Sequence, residues 1–161
     1  MLMSENYVSR SGEVGRIVVA RLIHGCDLIQ SLQQIVEENG IEAAVILSGV
    51  GLLSNVRLRN CKTLPEKFPI TDKDRIFLSF EKPLEILGIS GNVSTAERKP
   101  LVHAHLTLSH TEGGKIRVIG GHLIEGCKVF GFAEVFIMEL TRIEMAKKFD
   151  EETKTLQLFT E

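Results

Sequence analysis

Apolar positions along the chain recur with two different periods, and the change between them marks out its elements. From Gly15 to Leu22, Ile17, Val18 and Val19 supply the β-branched bulk of a strand. Leu28, Ile29, Leu32, Ile35 and Val36 then return at i, i+1, i+4, i+7 and i+8, which is one face of a helix. Asp27, with Gln30 three residues later, is placed to cap the start of that helix, and Gly40 to close its end. Beyond Gly40 the pattern is that of strands. Ala43 to Ser48 is a short apolar run closed by a Gly49-Val50-Gly51 turn into Asn55 to Asn60. Ile76 to Phe80, Leu84 to Ser90, Leu101 to His110, Lys115 to Ile124 and Glu134 to Leu140 follow. The charged tail from Thr141 to Glu161 predicts a solvated turn of helix and a last strand, Thr155 to Phe159. About seven strands, one main helix packed against them and short Gly-rich connections predict an α+β fold on a largely antiparallel sheet.

Composition bounds the function without assigning one. The 161 residues and 17.9 kDa suit one domain over 1–161, with a polar leader, 1–14, and a charged tail, 142–161. No linker, internal repeat or low-complexity tract interrupts it. Lys plus Arg number 19 against 21 Asp plus Glu, a formal net charge of -2, which argues against a generic polyanion binder. Three cysteines without a CxxC suggest neither a disulfide framework nor a thiolate zinc site, and point to a reducing compartment. Met1 to Arg16 lacks the apolar stretch of a signal peptide, and no run reaches the ~18 apolar residues of a membrane span. The expectation is a cytoplasmic protein with no membrane partner.

The candidate chemistry lies in Leu101 to His122. Side chains alternate faces along a strand, so His103 and His105 point the same way, ~6.6 Å apart along it. If Glu112-Gly113 form the centre of a tight turn, Thr111 faces Gly114, and the register continues to His103 opposite His122 and His105 opposite Gly120. A three-residue loop over Glu112 to Gly114 would instead turn His122 to the other face. Three imidazoles on a rigid hairpin match zinc with an open fourth position, and nickel, cobalt or copper would bind the same nitrogens. Val102, Ala104, Leu106 and Leu108, on the opposite face, are the candidate core. His110, at the hairpin tip, reads as solvent-facing, and His24 as a loop residue.

Other motifs are weak. Gly49-x-Gly51 lacks the rest of a dinucleotide fingerprint, Gly113-Gly114-Lys115 lacks the upstream glycine of a P-loop, and no G-x-S-x-G elbow occurs. Cys26, Cys61 and Cys127 read as small core or loop residues. Glu134, at the start of the last long strand, is the acidic candidate for a supporting role behind the metal, and Glu85, in an apolar strand, needs a partner if buried. No residue stands out as catalytic.

The His103-Ala104-His105 segment, followed by GGHLIEGCKVFGFAEVFI from Gly120 to Ile137, resembles the prokaryotic type of the PPC (plant and prokaryote conserved) domain family. Leu84 to Gly91 is similar to the GRFEIL core of plant members, with Lys82-Pro83 where Gly-Arg is expected. Ser48 to Gly51 and the tail around Asp150, Glu152 and Thr153 extend the resemblance over Gly15 to Leu158. It implies one antiparallel sheet with a helix against it, assembled as a homotrimer. It also implies a metal, commonly zinc, on His103, His105 and His122 near a subunit boundary. The family is often labelled DNA-binding, but in plant members that contact belongs to a separate AT-hook, and Arg10-Ser11-Gly12 and Arg16 do not form one.

Three functions follow. The first is a metal-binding homotrimer that takes a small-molecule ligand or a protein partner, with a regulatory role. The second is a zinc-dependent enzyme using a three-His metal–water site. The third is DNA binding by the domain itself, which the net charge of -2 counts against.

Overall fold

The computed structural model describes residues 2–3 and 6–160. Two short strands, β1 (Leu2–Met3) and β2 (Val8–Ser9), pair with each other. The main body runs β3 (Glu13–Ile23), α1 (Leu28–Glu38), β4 (Ala44–Cys61), β5 (Arg75–Ala96), β6 (Lys99–Glu112), β7 (Lys115–Leu123), β8 (Lys128–Thr141), β9 (Met145–Asp150) and β10 (Thr155–Thr160). Among the described residues these strands form one eight-stranded sheet in the order β10-β9-β5-β6-β7-β4-β8-β3. All its ladders are antiparallel except the single Thr95–Ala146 pairing of β5 with β9. A further β5–β4 pairing makes β4, β5, β6 and β7 close on one another.

α1 forms where the 3.6-residue period places it. The Asp27 carboxylate accepts from the Gln30 N–H at 3.3 Å, and Asn39, followed by Gly40 at φ 64°, ends the helix. Its buried face, Leu28, Leu32 and Val36, packs on β6 and β3. The sheet answers with Val102, Ala104, Leu106 and Leu108 of β6 and Val129, Ala133, Val135 and Ile137 of β8, all in the same core. Each fully buried Leu or Val contributes roughly 1.5–3 kcal/mol relative to exposure.

The class matches the α+β expectation; the details differ in four places. The main sheet has eight strands rather than about seven. Gly49-Val50-Gly51 is not a turn but part of β4, which runs unbroken from Ala44 to Cys61 with register shifts on either side of it. A Cβ on Gly49 would collide with the Ile89 side chain, and Gly51 takes φ 149° against Ala133. These glycines permit close approach within a bulged strand. Ile76 to Phe80 and Leu84 to Ser90 likewise belong to one strand, β5. The tail holds β9 where a helical turn was expected, because the Asp150 carboxylate accepts from the Thr153 N–H and hydroxyl, both at 2.7 Å, and closes a β9–β10 hairpin.

Candidate metal centre

The hairpin of β6 and β7 turns at Gly113 and Gly114, with φ 55° and 72°. Positive φ at both central residues is what a tight hairpin turn demands, and adjacent glycines supply it without strain. Glu112 therefore pairs with Lys115, and the ladder runs on to His105 opposite His122 and Thr107 opposite Gly120. The expected pairing of His103 with His122 is corrected by two residues. Because a strand's side chains repeat every two residues, the shift leaves all three histidines on one face.

Their rings form a near-equilateral triangle, with centroids 5.3 Å (His103–His105), 5.0 Å (His103–His122) and 5.2 Å (His105–His122) apart. One nitrogen from each lies within 4.8 Å of the other two. Tetrahedral Zn–N bonds of ~2.0–2.1 Å need nitrogens ~3.3 Å apart, a contraction within reach of small χ rotations. His103 and His122 are half-buried and His105 is exposed, so the triangle opens outward.

The surroundings disfavour the charged form of two of the imidazoles, His122 and His103. The His122 pKa is lowered to about 4, first by desolvation and then by Arg59, the other two histidines and Arg75. His103 is lowered by desolvation, then by Lys147, His105 and Arg59. Neutral imidazoles carry the lone pairs a metal needs. Neighbouring strands add polar groups on the same face: Asn92 of β5 sits opposite His103, and Arg59 of β4 opposite His122. Asn92 Oδ1 is buried without a hydrogen-bond partner. Such an orphaned acceptor beside a candidate ligand, His103, fits a site completed by an ion, where a ring N–H or a metal-bound water would satisfy it.

The other candidates fall elsewhere. Glu134 pairs with Val50 and Arg21, nine residues along β4 from the Arg59–His122 pair, roughly 30 Å at ~3.3 Å per residue. The structure does not bring it to the triangle. Glu85 is exposed. Cys127 is buried, its thiol pushed up to about 11 chiefly by burial, and it bonds to the backbone of Arg57. His24 is the expected loop residue, accepting from the Gly131 N–H at 3.2 Å and meeting Phe130 edge-on. His110 is corrected: it is 8% exposed, tilted against Phe80, since β6 runs on to Glu112 and its even positions stay on the core face. Sequence reasoning passed over Arg59, Asn92 and Lys147; the alternation Val56-Arg57-Leu58-Arg59 marks Arg59 as facing away from the core but not what it faces.

The family model of the Plants and Prokaryotes Conserved (PCC) domain matches residues 9–141. A metal-containing protein from Archaeoglobus fulgidus has a similar structure, with TM-score 0.77 and 32% identity, covering 95% of this chain and 99% of that one. A plant- and prokaryote-conserved protein from Pyrococcus horikoshii gives TM-score 0.76 at 31% identity, covering 93% and 96%. The bifunctional protein GlmU of Synechococcus sp. (strain JA-3-3Ab) is 31% identical over 146 residues, 91% of this chain but 21% of its own length. The chain thus spans about a fifth of the curated relatives it matches.

Proposed function

The chain belongs to the Plants and Prokaryotes Conserved domain family, and from that premise we propose that it is a metal-binding module. His103, His105 and His122 hold one divalent transition ion, zinc by ligand type, with the fourth position open to a ligand. The carrying observation is the triangle of imidazoles built by one hairpin. The Archaeoglobus fulgidus relative, described as metal-containing, supports the reading. Bound zinc would supply a Lewis-acid centre. The protein's own part is to fix three nitrogens on rigid strands, disfavour protonation of His103 and His122 and hold a cleft beside them.

The working unit is a homotrimer that binds a small ligand or a protein partner in a regulatory role. Exposed apolar residues on the outer sheet face support self-assembly: Ile17, Val19 and Ile23 of β3 are 57%, 63% and 67% exposed. A unit of this size that also occurs within proteins about five times longer suits a module attached to other activities. The cleft beside the histidines also favours a second reading, metal-assisted hydrolysis, though no acid lines it. Elemental analysis of the purified protein, expected to give one ion per chain, tests the metal. In His103→Ala occupancy falls to near zero; full occupancy in that variant overturns the reading.

A further inference from the structure

The triangle of histidines opens into a cleft of about 310 Å³. His103 and His122 form one wall, Arg59 and Lys147 supply two cations, and Leu101 and Leu156 an apolar surface. No acidic side chain lines it. Arg75, nearby, is paired with Asp72 at 3.0 Å, but among the described residues neither Arg59 nor Lys147 has an ion-pair partner. Both are half-buried. Arg59 is held in place by its register opposite His122.

We propose that the fourth position of the metal takes the oxyanion of a small organic molecule, a carboxylate or phosphate, clamped by Arg59 and Lys147, with its apolar part against Leu101 and Leu156. The proposal rests on the metal reading above. Three neutral imidazoles leave both charges of a divalent ion uncompensated. Two unpaired cations beside it raise the positive potential further, and in a half-buried cleft such charge is poorly screened. Water at the fourth position would leave that excess in place, whereas an anion removes it. A guanidinium presents paired N–H donors suited to two oxygens of one carboxylate or phosphate, and the ammonium supplies a second, adaptable donor.

The test uses the full chain loaded with cobalt(II), whose visible absorption reports a change of ligand at the metal. Acetate, hexanoate and inorganic phosphate are titrated separately at pH 7 and constant ionic strength. A saturable spectral change is expected, with hexanoate binding tighter than acetate because its chain covers the two leucines. The relative response to phosphate and hexanoate distinguishes the two oxyanion classes. Arg59→Gln and Lys147→Gln should each weaken anion binding by about tenfold without weakening cobalt binding, since each removes a cation that repels the metal. If both variants keep wild-type anion affinity, or acetate matches hexanoate, the cleft assignment is wrong. If cobalt binds and none of the three anions alters the spectrum, the proposal fails while the metal site stands. If cobalt does not bind, both fail.

Discussion

His122 carries the heaviest electrostatic load in the site, and its behaviour with pH follows from its surroundings. Its pKa is lowered to about 4 from the ordinary 6.5, mainly by desolvation, with Arg59 the largest charge contribution. In the unfolded chain the same ring takes up a proton near 6.5, so between 6.5 and 4 the unfolded state binds more protons than the folded one. The metal-free protein therefore loses stability as pH falls through that window, and this contribution is flat above it. His103, shifted in the same direction, adds to the slope. Denaturant unfolding in chelator across the window should show the decline, and His122→Gln should flatten it; an unchanged slope would mean that His122 is not desolvated. By the same reasoning, His122 contributes almost nothing to the protons released on metal uptake at pH 7, a release that calorimetry in buffers of different ionisation enthalpy can measure.

At the scale of elements, the β6–β7 hairpin decides whether the histidines meet. Its turn depends on Gly113 and Gly114 at φ 55° and 72°. Replacing both with alanine should cost about 1–2 kcal/mol per residue in unfolding free energy. Metal affinity in the folded fraction should stay within a few-fold, because the ladder beyond the turn fixes the register. A large loss of affinity would show that the turn alone sets it. The histidine face was legible in the sequence because i, i+2 spacing and the parity of a tight turn are local properties. The register itself was not, since Glu112-Gly113 and Gly113-Gly114 centres preserve the same parity and differ only in the φ values required. α1 was legible from its period and its Asp27 cap. β9 was not, because its alternation is masked by lysines and its pairing depends on the distant Thr95 and on the Asp150 turn. Arg59, Asn92 and Lys147 reach the site only through strand neighbours far along the chain, so no local pattern could place them there.

At the scale of the whole molecule, the charge and the surface favour self-association. A formal net charge of -2 leaves little general pull toward nucleic acid. The outer sheet face, in contrast, carries Ile17 opposite Met138, Val19 opposite Phe136 and Ile23 opposite Phe132. Phe132 is itself 51% exposed, and Val50 on the next strand extends the stripe. These apolar side chains on three strands, broken by the Arg21–Glu134 pair between Val19 and Ile23 and with β3 at the sheet edge, are costly in water and are relieved when copies cover them. For the proposed trimer, light scattering after gel filtration should give about three times the 17.9 kDa chain mass. Val19→Lys, which places a charge in the middle of the band, should shift the protein toward single chains. All three histidines come from one hairpin of one chain, so the dissociated variant should keep its metal affinity within about threefold. A wild-type mass of one chain would refute the trimer. A monomeric variant that has lost its metal would instead place part of the site on the neighbouring subunit.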